Sequence, residues 1–245
     1  MIPFFRKIRK KMADDNRPLK YMRYAIGEIV LVVVGILIAL QINNWNEDRK
    51  GKLELEVYQK RLIEDLVKDT IALHNFIEES ESENLRWLNI KTEIEKPSST
   101  IDTIIRYFER CNMGYMPRLD NKNDATYKSL VSTGDIQLFE DSHRMLLLDF
   151  YNYVEPRYDF ILIWQDEARS DFAETFTEFG WLTKVNKNNL IYYELRKDLD
   201  QNKLIKMFDV IVGRRSFFYG NYTIAAEEIL NETNKVLDSL NNHLN

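Results

Sequence analysis

The chain is poor in the residues that crosslink, punctuate and catalyse. Among its 245 residues are one Cys, three His, five Pro and eight Gly. A single thiol, Cys111, excludes an intramolecular disulfide framework and a cysteine-based structural zinc site. Scarce turn formers argue against a β-sandwich or barrel, which need many tight turns. His74, His143 and His243 are far apart and fit no H-E-x-x-H or similar ligand pattern. No G-x-G-x-x-G, P-loop or G-x-S-x-G occurs. Cys111 has no catalytic partner in sequence and reads as a free structural thiol. The sequence therefore nominates no catalytic, metal or cofactor-binding residue, and the expectation is a protein that is not an enzyme.

What is present is ordinary in total and unusual in distribution. Apolar residues make up 44% and charged residues 30%, with a mean hydropathy of −0.42. That composition excludes collagen-like, disordered and multi-span membrane classes. The average hides the run IVLVVVGILIAL, Ile29 to Leu40. Extended from Tyr24 to Ile42 it gives nineteen residues, about 28 Å of helix, just enough to cross a hydrocarbon core of about 30 Å. Tyr21, Tyr24 and Trp45 sit where an aromatic belt would lie. These features predict a basic segment over 1–23, a transmembrane helix over 24–45 and an outer domain over 46–245.

Orientation follows from charge. The first 23 residues carry a net +6, Glu28 adds −1, and the region beyond Trp45 carries −10, within a total of −5. The positive-inside rule puts the N-terminus in the cytoplasm and the outer domain in the periplasm of a diderm inner membrane. A cleaved signal peptide is the rival. The long basic start, the lack of a small-x-small site after the apolar run and the absence of a lipoprotein cysteine count against it. Phe4, Phe5, Ile8 and Met12 share one helical face, with Arg6, Lys7, Arg9 and Lys10 largely on the other. With Lys11, those cations are candidate contacts to anionic lipid, the alternative being a basic tail that only sets topology. Nucleic acid is not an expected partner, because phosphate binding needs the charge opposite to that of the outer region.

Two features inside the run invite function. Gly27, Gly35 and Ala39 recur at multiples of four, and Gly35-x-x-x-Ala39 is a small-xxx-small pair that lets helix backbones approach. They are candidate packing residues for a homo-oligomer. Glu28 is an ionisable group within the segment, and so a candidate proton-handling or helix-contact residue. The bland alternative places it at the rim, paired with Arg23 or Lys20 or reaching water.

The stretch YAIGEIVLVVVGILIALQINNWNED, Tyr24 to Asp48, with FFRKIRKK before it, resembles a bacterial family of single-pass membrane proteins, domain-of-unknown-function family 6090, common in Bacteroidota. The shared marks are the basic start, Gly27-Glu28 and the Asn43-Asn44-Trp45 exit. ATYKSLVSTGDIQLFED (Ala125 to Asp141) and LLLDFYNY (Leu146 to Tyr153) form a second matching stretch. The resemblance is strong over the first fifty residues, moderate over the middle thirty and weak after Tyr153. It implies the topology and an all-helical outer part, and brings no catalytic residue or cofactor.

The outer region reads as all-α. No Pro occurs from Asn46 to Lys96, and Leu62, Ile63, Leu66, Leu73, Ile77, Leu85 and Leu88 keep a helical spacing that ends at Pro97. Ser98 or Ser99 is expected to cap a helix over 100–110, and residues 111–123 form a loop. Asp124 caps a helix over 125–133, with Gly134 at its C-terminal end, and Asp141 caps a further helix that Pro156 bends or breaks after Tyr153. Helices over 157–179, 190–199 and 202–240 follow. The last should bury Leu204, Met207, Phe208, Ile211, Phe218, Ile224, Ala225, Ile229, Val236 and Leu240, with Gly213 and Gly220 packed close to a neighbour. The expected architecture is an antiparallel helical bundle with coiled-coil character beyond one membrane helix. The acidic run from Glu78 to Glu83 reads as a solvated face, and most aromatics as core.

The resulting expectation is a non-enzymatic single-pass inner-membrane protein whose periplasmic bundle contacts a membrane or periplasmic protein, or itself. A periplasmic small-molecule or stress sensor acting through a partner is the first alternative. A subunit of an ion-driven membrane complex using Glu28 is the second.

Overall fold

A computed structural model describes residues 18–110, 114–183 and 190–242. Among them every regular element is helical: α1 (Pro18–Ile94), α2 (Ile101–Arg110), α3 (Ala125–Thr133), α4 (Asp141–Phe179), α5 (Leu190–Lys197) and α6 (Gln201–Asn242). Short 3₁₀ turns at Asp135–Leu138 and Gly180–Thr183 follow α3 and α4. The chain divides into two compact units, Met1–Val57 and Tyr58–Asn245.

In the first unit, the part of α1 up to Val57 holds an uninterrupted exposed run from Ile29 to Trp45. One stretch of this helix is long and apolar enough to cross a membrane.

In the second unit, α1 presents Gln59, Leu62, Leu66, Asp69, Leu73, Phe76, Ser80, Glu83, Trp87 and Ile90 inward, all buried. The steps alternate three and four residues without a break, the seven-residue repeat of helices packed side by side. Four of the ten are polar, so the stripe is only partly visible as hydrophobicity. Leu85 and Leu88, expected on this face, point outward and are exposed. They fall between the inward positions Glu83, Trp87 and Ile90, where the repeat faces solvent.

α4 and α6 run antiparallel. Arg157 meets Glu228, Asp171 meets Arg214, and Glu178 meets Lys203, so numbers rise on one helix as they fall on the other. α1 packs Phe76 near Tyr222 and Trp87 near Arg215, both on α6.

α4 passes through Pro156 without ending, contrary to the expected break. A proline inside a helix costs about 3 kcal/mol through a lost hydrogen bond and a clash with the preceding turn. The buried positions Leu147, Tyr151, Val154, Tyr158 and Ile161 step 4-3-4-3, so the inward face continues through this level. Arg157 also donates through Nη1 to the Tyr153 carbonyl at 2.9 Å, lies 3.5 Å over the Tyr153 ring, and donates through Nε to Glu228 at 2.6 Å.

Several expected caps move. Thr100, rather than Ser98 or Ser99, starts α2: its carbonyl accepts from Thr103 and Ile104, and its N–H donates to Thr103 Oγ1. Asp124 makes no side-chain cap bond; its backbone is not extended, and its carboxylate pairs with Lys128 at 2.9 Å and Lys122 at 3.7 Å. Asp141 lies already inside α4, where it binds Arg144, and Glu140 precedes the helix. Asp200 does cap α6, accepting from the Lys203 N–H at 2.9 Å. Gly134 ends α3 in the left-handed region, φ +82°, as expected for a C-terminal glycine.

On α6, Ile224 points to solvent, 57% exposed, against the expectation of burial. Gly213 and Gly220 also face open space: a Cβ built on either meets nothing within 4 Å. They therefore do not mark close packing inside the unit. Both lie on the same outward side as Val210, Phe217 and Ile224, away from the stripe that packs on α1 and α4.

Candidate functional site

The described sequence candidates of the first unit differ in exposure. Glu28 is half-buried and Tyr24 likewise, whereas Gly27, Gly35, Ala39 and Trp45 are exposed. A Cβ built on Gly27 or Gly35 meets no atom within 4 Å. Arg6, Lys7, Arg9, Lys10 and Lys11, and the Tyr21 side chain, lie outside the described residues, as do Cys111 and His243. His143 is buried, with Ser142 and Ser239 hydroxyls 3.4 and 3.3 Å from its two ring nitrogens, while His74 is exposed. No group of three or more His, Cys, Asp or Glu that would hold a metal forms among the described residues.

The second unit contains a polar seam that composition and spacing did not reveal. It has two centres, both on α1.

The first surrounds Asp65 and Asp69. Asp69 Oδ1 accepts from the Asn123 N–H at 2.9 Å and from its side-chain amide at 2.6 Å. Asp65 Oδ2 accepts from the Thr126 hydroxyl at 2.6 Å. These bonds tie the end of the loop before α3 and the first turn of α3 onto α1. Burial pushes the Asp69 carboxyl above its ordinary value, and nearby Asp65 and Asp124 add to the shift, while the two Asn123 bonds oppose it. Tyr151 and Tyr158, buried beside this centre, have phenols pushed far up by desolvation, so both stay protonated.

The second surrounds Trp87, which is fully buried. Its indole Nε1 donates to Glu83 Oε2 at 3.2 Å, and the same oxygen accepts from Arg86 Nη2 at 2.5 Å. The guanidinium carbons of Arg86 and Arg215 lie 5.2 and 5.7 Å from the ring centre. Arg215 is 3% exposed and donates to the Tyr219 hydroxyl at 2.9 Å and to the Tyr115 carbonyl at 3.4 Å. The Tyr115 hydroxyl in turn donates to Glu79 at 2.7 Å. This network joins α1, α6 and the segment before α3. Arg86 and Glu83 form an ion pair within it, while Arg215 donates to neutral oxygens.

Among the aromatics, Tyr151, Tyr158, Phe179, Phe218, Tyr219 and Tyr222 are core, as expected, whereas Phe160, Phe176 and Phe217 remain exposed. The exposed residues Val210, Phe217 and Ile224 stand seven residues apart on one side of α6, with Gly213 and Gly220 between them. Knob and gap alternate along this ridge, a form suited to a facing helix. A further cleft, between α4 and the segment before α3, is lined by Gly114, Met116, Pro117, Arg118, Gln165, Arg169 and Phe172.

A family model, described as a family of unknown function (DUF6090), matches residues 28–174. The matched range takes in the apolar run, the whole inward stripe of α1 and most of α4. No curated protein and no solved structure matches the chain.

Proposed function

The chain belongs to the family of unknown function DUF6090, and on that footing we propose that it is a non-enzymatic single-pass protein of a bacterial inner membrane. Its N-terminus is cytoplasmic, and its periplasmic helical bundle mediates contact with a membrane or periplasmic protein, or with a second copy. The observation that carries the reading is the apolar surface from Ile29 to Ile42, which the fold leaves wholly exposed. An exposed surface of that length and composition is stable only in a lipid bilayer or against other apolar helices. The net +6 before it and −10 beyond it support the orientation. Arg6, Lys7, Arg9, Lys10 and Lys11 then meet the anionic inner leaflet, and Tyr24 and Trp45 mark the two interfaces.

The contact role is supported by the Val210–Phe217–Ile224 ridge, which the rest of the second unit does not cover. Topology is tested with an alkaline phosphatase reporter at the C-terminus, expected active, and one at position 20, expected inactive. Release of the protein from membranes by carbonate would sink the reading. The contact role is tested by cysteine crosslinking at position 217 in native membranes, in a Cys111→Ser background. A discrete adduct that Gly220→Leu diminishes supports it, and the absence of any adduct opposes it. Glu28→Gln tests the intramembrane carboxylate separately. Unchanged assembly and growth would leave Glu28 with an interfacial role only.

A further inference from the structure

The cleft between α4 and the segment before α3 combines four properties. Two arginines, Arg118 and Arg169, line it, and no acidic residue does. This stands out in a region of net −10. One wall residue, Gln165, is 4% exposed, and its Nε2 amide is buried with no hydrogen-bond partner. A buried donor without an acceptor costs about 1–3 kcal/mol, so such groups are rare and mark a missing partner. The remaining wall is apolar: Met116, Pro117 and the Phe172 ring. Finally, the cavity measures about 130 Å³, close to the roughly 150 Å³ that holds a six-carbon ring in an engineered protein core.

Each property restricts the occupant. Two cations and an amide donor call for an acceptor that carries negative charge. Both arginines already have partners, Asp120 at 3.1 Å and Asp166 at 3.0 Å, but every one of these four side chains is more than 60% exposed. Ion pairs in open solvent contribute about 0–1 kcal/mol and exchange readily for a better-placed anion. The planar guanidinium and planar amide match a planar carboxylate edge on. Phosphate would satisfy the charge but leave Met116, Pro117 and Phe172 without an apolar partner. Gly114 shapes the far wall: a Cβ there would come within 3.1 Å of the Phe172 ring.

We infer that this cleft binds a small organic monocarboxylate of about six non-hydrogen atoms. Its carboxylate accepts from the two arginines and, once the buried amide turns into the cleft, from Gln165, and its aliphatic or aromatic tail lies on Phe172 and Met116. The assignment is independent of the membrane and contact readings above.

The test uses the full chain in lipid nanodiscs, with ligand binding read by saturation-transfer NMR and calorimetry. The probes are butyrate, the neutral butanol and inorganic phosphate. Saturable binding of butyrate, with butanol and phosphate each at least about tenfold weaker, is expected, since a hydrogen bond to a charged group contributes about 1.5–3 kcal/mol. Gln165→Leu should weaken butyrate about tenfold by the same reasoning. It removes the donor but keeps a residue suited to the inward face, so the thermal midpoint should hold or rise. Arg169→Gln, at an exposed position, should weaken butyrate without altering the fold. The assignment fails if butyrate does not saturate, if butanol or phosphate binds as well, or if Gln165→Leu binds butyrate normally.

Discussion

The guanidinium carbon of Arg215 lies 5.7 Å from the centre of the Trp87 ring, and both residues are buried. A cation in that position gains more from the ring's negative face where water is excluded. Arg86 lies on the same ring at 5.2 Å, but its side chain is 30% exposed. The two arginines should therefore differ in weight. Arg215→Leu removes the donor to the Tyr219 hydroxyl and the Tyr115 carbonyl, and should cost about 2–3 kcal/mol. Arg86→Leu should cost less, because Glu83 Oε2 keeps the indole N–H of Trp87 as a donor. Chemical denaturation of the full chain, followed by tryptophan emission, checks the contrast. Equal losses would mean that burial of Arg215 is not what gives the network its strength.

Gly213 and Gly220 lie inside α6 with open space where a side chain would go. Glycine in a helix interior is less favourable than alanine by about 1 kcal/mol, chiefly through unfolded-state entropy. Gly213→Ala and Gly220→Ala should each raise stability by about that amount, and their effects should add, since they lie about two turns apart. A thermal melt of the single and double variants measures this. Destabilisation would show that another helix approaches these glycines in the assembled protein. The same melt thus separates an intrinsic effect from an intermolecular one.

How much of this was legible in the sequence depended on how local the cause was. The end of α1 near Pro97 and the end of α3 at Gly134 are set by single residues, and both lie where the sequence puts them. The inward face of α1 was only half legible, because Gln59, Asp69, Ser80 and Glu83 occupy positions that hydrophobicity reading assigns to solvent. What makes them tolerable inside is remote in sequence: Asn123 reaches Asp69 from 54 residues away. At Pro156 α4 runs on beside α6, tied to it by the Arg157–Glu228 pair, which the proline alone does not show. The cleft at Gln165 was not legible, because its walls come from two segments about fifty residues apart.

Gly134 offers a contrast with the α6 glycines. Its φ of +82° is in the left-handed region, although a Cβ there would meet nothing within 4 Å. The constraint is backbone strain rather than space. Gly134→Ala should destabilise by about 1–2 kcal/mol, and Gly134→Asn by less, because asparagine tolerates this conformation. If alanine and asparagine were equally tolerated, the αL turn between α3 and the 3₁₀ turn would not be fixed in solution.

Asp69 should leave a signature in pH dependence. Its carboxyl is raised above the ordinary value of 3.8 by burial, with Asp65 and Asp124 contributing. A raised acid binds its proton more tightly in the folded than in the unfolded chain. Protonation therefore favours folding, and the benefit, complete below the unfolded value, is lost as pH rises through the folded one. At neutral pH the charged Asp69 sits at a disadvantage that a neutral isostere avoids. Asp69→Asn keeps a side-chain oxygen to accept from the Asn123 N–H and amide, and removes the charge. Relative to the parent chain, this variant should gain most at pH 7.5 and progressively less toward pH 4. Thermal midpoints of both chains across that range test the sign. A difference that stays constant, or grows on acidification, would mean that the Asn123 bonds outweigh desolvation and that Asp69 is held charged in the folded protein.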